Sequence, residues 1–434
     1  GYLFESADHR VLFDPIFESP FSHNCFADPP IRFDEGVIRK EQWNAVIISH
    51  FHDDHLSLRS LDWISRETPI YLYCAFEEFF DLVRQMGFIE VHSIQLNVSL
   101  QFGGIRVTAL AALNPEVDTL FHVQVGVLNI LNVVDSWIDP SNLPLLSALA
   151  PWDLVLWPFQ TMRELAALDP RRAEPAVRTL PPEWIEQLVL LRPKCVIPSA
   201  CQFRFETESW LNHHYFPISY RQFEREMVSV LPATQVVRLG PSESIKSCEG
   251  QWLRTAPFAG IELLPAPMSE RGGDVYSDYE LDDSQLIPST LEVARLFPQL
   301  SAQETAQVLR FCANEMCERY AKLDLSEDDF FHSTLSWQLK LYDAKGTVHT
   351  FQYQIDDQEM SVTAGMTQAP DWLTEISIWK LYSAVFRGES LSSLYLRVND
   401  FEGNVEVEDR LRRVDVLRGV AVLQHHHAGR VVVG

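Results

Sequence analysis

Ala45-Val-Ile-Ile-Ser-His50-Phe-His-Asp-Asp-His55 is the stretch of this 434-residue chain from which the rest can be read. Ala45 to Ile48 is a continuous apolar run of strand length, the pattern of a strand covered on both faces. It passes directly into His50, His52, Asp53, Asp54 and His55, three imidazoles and two carboxylates within six residues. In an extended turn His50 and His52 point the same way and can grip one ion, while Asp54 and His55, one step on, face a second. Two ions that close polarise a single bridging oxygen. The competing reading is a solvated loop with a chance cluster of histidines. It is disfavoured because a buried strand rarely ends in so many ligands without a cation to neutralise them.

Outward from this stretch, the first ~260 residues alternate β-rich and helical runs, the signature of a layered α/β domain. Val11 to Phe13, Ala45 to Ile48, Ile70 to Tyr73, Ile105 to Leu110, Val123 to Val134, Leu154 to Trp157 and Cys195 to Ile197 read as strands. Leu58 to Ser65, Glu77 to Met86, Glu183 to Leu191 and Arg221 to Val230 carry apolar residues at helical spacing, with Pro193 stopping the third. Gly103-Gly104 marks a hairpin. The acidic, glycine-containing stretch Glu270 to Asp283 lacks apolar periodicity and reads as a linker. The expected division is a metal-binding domain over 1–265, a linker over 266–290 and an α+β domain over 291–434. In the last, Ser301 to Tyr320 reads as a helix, Leu335 to Tyr342 and Thr350 to Ile355 as antiparallel strands around the turn Asp343 to Gly346, Ile376 to Phe386 as strand into helix, and Leu394 to Val398 as a strand.

Composition narrows the function. The chain is 46% hydrophobic and 11% aromatic, as in ordinary globular proteins, and long enough for two or three domains. Its 35 basic and 60 acidic side chains give a net charge of −25, which repels a phosphate backbone and argues against nucleic acid as a partner. No run approaches the roughly 20 apolar residues of a membrane span, and Gly1 to Arg10 has no signal-peptide pattern. The seven cysteines are scattered and odd in number, the usage of reduced thiols in cytoplasm. Cys312 and Cys317 are too far apart for a Cys-x-x-Cys clip, so no iron–sulfur centre is expected.

His-x-His-x-Asp-His after a buried strand resembles the signature of the metallo-β-lactamase superfamily. Phe13-Asp-Pro15 and Ile130-Leu-Asn-Val-Val-Asp135 agree with it in order, Asp135 matching the superfamily's metal-bridging carboxylate. A closer resemblance is to the metallo-β-lactamase-like domain of CMP-N-acetylneuraminate hydroxylases. It rests on Val11-Leu-Phe-Asp-Pro15, Ile48-Ser-His-Phe-His-Asp-Asp-His-Leu-Ser57, Asn114-Pro-Glu-Val-Asp118 and Leu131-Asn-Val-Val-Asp135, and continues through Trp379-Lys-Leu-Tyr-Ser-Ala-Val-Phe-Arg-Gly388. This resemblance implies iron, dioxygen and an external ferredoxin-like electron donor, because the iron–sulfur domain of those hydroxylases has no counterpart here. The part from Trp337 to Leu396 also resembles a sterol-carrier-protein-like domain, which would wall the active site, shelter an apolar ligand or form a homodimer contact.

Two departures separate this chain from a dizinc hydrolase. Where the superfamily places a third histidine on the first ion, Asn114 stands, a poor ligand, with Glu116 and Asp118 the nearest strong ones. Glu116 is the expected replacement, as a glutamate is in the related iron-dependent β-hydroxylase of the chloramphenicol pathway. Where the last histidine should follow Lys194 to Ser199, Ala200 and Cys201 stand; His213 or His214 is expected to reach back, with Cys201 as a further option. His92 and His122 read as satisfied core histidines, His425 to His427 as an exposed run, and Trp137, Trp152, Trp157 and Phe159 as pocket walls or core. The expectation is thus an αββα metallo-β-lactamase sandwich of α/β class with a smaller α+β domain. Its dinuclear centre would be built from His50, His52, Asp54, His55, Glu116, Asp135 and His213 or His214, with Asp54 and Asp135 nearest the chemistry. Iron is favoured over zinc, and oxidation of a small molecule over hydrolysis of an ester, amide or lactone. A metal-stabilised binding protein without catalysis is the reading from another class.

Overall fold

The computed structural model describes residues 1–6, 9–22, 24–170, 173–200, 203–206, 209–264, 278–282, 284–321, 334–356, 359–363, 370–387 and 396–399. They form two compact units. The first comprises Gly1–Thr161, Val177–Asn212 and Phe216–Leu281; the second comprises Met162–Ala176, His213–Tyr215 and Asp282–Gly434.

The first unit is built on two sheets. One runs in the order β1 (Tyr2–Ser6), β2 (His9–Phe13), β3 (Ala45–Ile48), β4 (Ile70–Leu72) and β5 (Val91–Ser93). β1 and β2 form an antiparallel hairpin, and β2 to β5 are parallel. The other has seven strands: β6 (Ser99–Phe102), β7 (Ile105–Ala111), β8 (Thr119–Val125), β9 (Leu128–Asn132), β10 (Leu154–Pro158), β11 (Cys195–Ser199) and β12 (Gln235–Val236). Their spatial order is the order in the chain. β6 to β9 form an antiparallel meander and β9 to β12 are parallel.

The pleat explains why β3 is apolar at every position. Ala45 and Ile47 face Phe121, Ile130, Leu156 and Ile197 of the other sheet. Val46 and Ile48 point outward against Leu61, Phe80 and Val83 of the helices α1 (Leu58–Leu61) and α2 (Glu77–Gln85). Each buried Val or Ile contributes about 1.5–3 kcal/mol, so this strand is fixed before any ligand is considered. On the far side of the second sheet, α3 (Pro182–Leu191) and α4 (Tyr220–Val230) pack through Trp157 on Trp184, with ring centroids 6.0 Å apart, and Phe159 on Phe223, also 6.0 Å. Helices outside two facing sheets make this the αββα sandwich of the metallo-β-lactamase fold.

One predicted strand is in fact two. Val123 to Val134 is interrupted at Gly126-Val127, where β8 and β9 form a hairpin with Val125 opposite Leu128. Gly126 sits at φ +61°, a conformation open to glycine at little cost. The predicted linker differs as well at its end. Asp278 accepts from the backbone N–H groups of Tyr220 (2.7 Å) and Arg221 (3.1 Å) at the start of α4, and the Tyr279 hydroxyl donates to the Phe203 carbonyl (3.0 Å). These residues are anchored in the first unit. Residues 265–277 and 283 lie outside the described set.

The second unit holds a sheet of β13 (Leu335–Tyr342), β14 (Val348–Ile355), β15 (Met360–Val362), β16 (Trp372–Ser377) and β17 (Leu396–Asn399), in the order β15-β14-β13-β16-β17. The predicted hairpin is present, its turn held by the Asp343 carboxylate, which accepts from the N–H groups of Lys345 and Thr347. The predicted helix runs from Ala302 to Tyr320 through a π-helical turn at Phe311–Glu315, started by a Ser301/Glu304 capping box. Among the described residues no helix is long and apolar enough to cross a membrane. Cys201 and His425 to His427 lie outside the described residues.

Candidate metal centre

The site begins where β3 stops. Ser49 and His50 are buried, and the chain then turns tightly, with the His55 and Leu56 N–H groups donating to the His52 carbonyl at 3.0 and 2.7 Å. Ser57 caps α1 by accepting from the Ser60 N–H (3.1 Å), so the whole motif is clamped between a buried strand and a helix start. The carboxyl end of a parallel strand is the usual place for such a loop.

Among the described residues the ligand atoms fall into two groups, each within 4.8 Å: His50, His52 and Asp54, and His50, His55 and Asp135. The expected split of His50 and His52 against Asp54 and His55 is therefore modified. His50 is common to both groups, and Asp54 reaches the first while its carboxylate is 3.7 Å from His55 Nε2. The reason is that His55 Nε2 turns to Asp135 Oδ2, 3.2 Å away. Asp53 is in neither group and accepts from the Ser22 hydroxyl at 3.0 Å.

Beneath the ligands lies a layer that the sequence reading did not assign. The Asp14 carboxylate accepts from the Ser49 N–H (2.7 Å) and hydroxyl (2.9 Å), and it lies 3.1 Å from His55 Nδ1. Ser49 Oγ is 3.0 Å from His50 Nδ1 and 3.1 Å from His55 Nδ1. With Nδ1 engaged, both imidazoles present Nε2 to the site, the arrangement by which outer groups orient metal-bound histidines. His50 Nε2 is buried and, among the described residues, has no hydrogen-bond partner, so a cation there would satisfy it. The residues present therefore fit a divalent metal.

Two strand ends enter this centre through left-handed backbone: Asp14 after β2 (φ +44°) and Val134 after β9 (φ +63°). For β-branched Val134 this conformation is costly, about 1–3 kcal/mol, and it is the residue that turns Asp135 toward the histidines.

The electrostatics follow from crowding. Burial pushes the His50 imidazole down to about 3, with His55 adding to the effect, so His50 is neutral and ready to ligate. Burial disfavours the charged form of His55 too, but Asp135, Asp54 and Asp14 outweigh it and raise its pKa well above the ordinary value. Burial likewise works against the Asp135 carboxylate, yet His55, His50 and His52 hold it below the usual range.

The remaining expected ligands are outside these two groups. Glu116 is exposed and in neither group. Two residues on, Asp118 is half-buried, and burial followed by the neighbouring Asp135 raises its carboxyl to about 6. The pairing of β8 with β9 ends at Phe121 and Asn132, and beyond it the Ser136 hydroxyl, donating to the Thr119 carbonyl at 3.4 Å, keeps the two chain ends that carry Asp118 and Asp135 together. His213 and His214 lie on the short helix Leu211–His214 and are in neither group. The His213 carbonyl accepts from the Asp282 N–H at 2.8 Å. His122 is a buried histidine bonded to Asn129 (3.0 Å), as expected, but His92 is exposed and stacks on Tyr71. Trp152, Trp157 and Phe159 are core; Trp137 is 42% exposed.

No protein-family model and no curated protein sequence matches the chain. Solved structures with a similar arrangement include a diiron β-hydroxylase from Streptomyces venezuelae at 16% identity and TM-score 0.38, covering 55% of this chain and 51% of that one. A possible metal-dependent hydrolase from Veillonella parvula DSM 2008 (13%, 0.39) is covered over 95% of its length by 58% of this chain. An isothiocyanate hydrolase from Delia radicum gut bacteria (12%, 0.40) is covered over 93% by 55%. The match thus spans about half of the hydroxylase and nearly all of the two hydrolases. The two sheets and the helices outside them give this chain the metallo-β-lactamase fold, with a cluster of His and Asp side chains at the shared end of the sheets that could hold metal.

Proposed function

We propose that the chain is a metal-dependent enzyme holding two ions, that the ions are iron, and that it oxidises a small molecule with dioxygen. The observation behind this reading is the donor set: Asp54, Asp135 and the half-buried Asp118 stand beside His50, His52 and His55. A set half made of carboxylates suits iron better than zinc, and its negative charge stabilises the ferric state. Bound iron would supply the activation of dioxygen. Inserting one oxygen atom and releasing the other as water requires two electrons and two protons, so a separate ferredoxin-like donor is part of the proposal. The chain's own residues fix the ligands from beneath, through Asp14 and Ser49.

The three imidazoles favour a second reading, a dizinc hydrolase in which a bridging hydroxide attacks an ester, amide or lactone. Metal analysis with optical and Mössbauer spectra on protein expressed without added metal separates the two. About two irons per chain supports the oxygenase, and stoichiometric zinc without iron supports the hydrolase.

A further inference from the structure

We infer that Tyr73 is a positioning residue for the metal centre: its hydroxyl latches the Asn114–Asp118 loop of the second sheet to the end of β4 in the first, and so holds Asp118 beside the ligand histidines. The inference rests on Asp118 being a ligand and adds the residue that places it. Tyr73 follows β4 directly, and its N–H donates to the Ile48 carbonyl at 3.1 Å, two residues before His50. Its ring packs on the core between the two sheets, and its hydroxyl donates to the Pro115 carbonyl. A phenol held at both backbone and ring is a stiff arm, so little conformational entropy opposes the hydroxyl's bond.

The loop that Tyr73 grips is a tight turn. Its Val117 and Asp118 N–H groups donate to the Asn114 carbonyl at 3.2 and 2.8 Å, and Pro115 and Glu116 stand exposed at the tip. Just before the turn the Leu113 N–H donates to the Trp137 carbonyl at 2.9 Å, and just after it the Thr119 carbonyl accepts from the Ser136 hydroxyl at 3.4 Å. Both of these ties run to the chain that follows Asp135. Tyr73 supplies a tie to the other sheet, the one whose strand β3 leads into His50 to His55. Asp118 is close enough to Asp135, His52, His55 and Asp54 for their charges to act on it, and Tyr73 is close enough to feel the charge of Asp118. A turn with an exposed tip that lost this anchor would spend part of its time with Asp118 withdrawn. Apparent metal affinity would fall by that fraction, because binding needs the competent arrangement.

The test is a double-substitution cycle on the full chain, read by cobalt(II) affinity in competition with a chelator and by the visible cobalt bands. Tyr73→Phe keeps the ring and removes the hydroxyl. It is expected to weaken cobalt binding about threefold to tenfold and to move the bands toward those of Asp118→Asn, while the Tm of the metal-free protein stays unchanged. In the Asp118→Asn background the same change should alter affinity by less than about twofold, because the side chain it positions is gone. Unchanged affinity in Tyr73→Phe, or an equal loss in both backgrounds, would overturn the positioning role and leave Asp118 a ligand. If Asp118→Asn binds cobalt as the wild type does, the ligand reading falls and the inference with it. If Asp118→Asn binds no cobalt, the bands of Tyr73→Phe decide: altered bands support the latch, and wild-type bands sink it.

Discussion

His55 Nε2 lies 3.2 Å from Asp135 Oδ2, and this contact joins the turn after β3 in one sheet to the turn after β9 in the other. A cation between them would tie the two sheets at their shared end. Metal that binds only the folded state stabilises it, by about 2.7 kcal/mol at a hundredfold excess over Kd. Wild-type protein should therefore gain several degrees in Tm on metal addition. Asp135→Ala and His52→Ala should each lose at least one metal per chain and most of that gain. Elemental analysis paired with thermal melts decides it; full metal content in both variants would refute the assignment.

Asp14 and Ser49 touch the histidines only on the side away from the metal position, so their effect is one of positioning. Ser49→Ala removes the group beside both Nδ1 atoms, and Asp14→Asn weakens the acceptor that holds Ser49. Each should lower metal affinity about 10- to 100-fold, measured by competition with a chelator, with a circular dichroism spectrum like that of the wild type. Because Asp14 occupies φ +44°, asparagine, which tolerates that conformation, is the informative substitution. Unaltered affinity in both variants would reduce this layer to packing.

Metal uptake should release protons. In the metal-free protein the carboxylates around His55 raise its pKa, whereas burial lowers that of His50. A raised histidine gives stability that is full below its unfolded value and is lost as pH rises through the folded one. A depressed one gives stability that is present above about 6.5 and is lost as pH falls toward 3. At pH 7 His50 is therefore neutral, while His55 must surrender its proton to ligate. Calorimetric titration in two buffers of different ionisation enthalpy should report about one proton released per chain, with affinity rising as pH rises. Heats independent of buffer would mean that His55 keeps its proton and is not a ligand.

The local part of the site was legible because its chemistry is contiguous. His50 to His55 follow a strand whose apolar run is unmistakable, and no distant residue is needed to see it. Asp135 was legible only through the resemblance, since an aspartate after an apolar run has no signature of its own. Asp14 and Ser49 escaped because their role is to orient other side chains, a relation that exists only once β2 lies beside β3. The Val123–Val134 reading failed because a single glycine in an apolar run carries a weak turn signal, and that hairpin in turn sets where Asp118 falls.

The last prediction concerns the third ligand of the first ion, where Glu116 and Asp118 compete. Sequence distance from Asn114 cannot separate them, but the structure can, because Asp118 is half-buried and close enough to Asp135 to feel its charge, whereas Glu116 is exposed in the turn before it. A carboxyl held up to about 6 by burial and by Asp135 is one that a cation relieves, since coordination replaces the repulsion with attraction. Asp118→Asn should therefore lower metal content or weaken affinity at least tenfold, while Glu116→Gln leaves both unchanged. Asp118→His should shift selection from iron toward zinc, read by elemental analysis after expression in medium containing both. If Glu116→Gln empties the site and Asp118→Asn does not, the ligand is Glu116 and the burial of Asp118 beside Asp135 has no part in holding metal. If neither substitution changes metal content, the oxygen-rich donor set loses a member and the case for iron weakens with it.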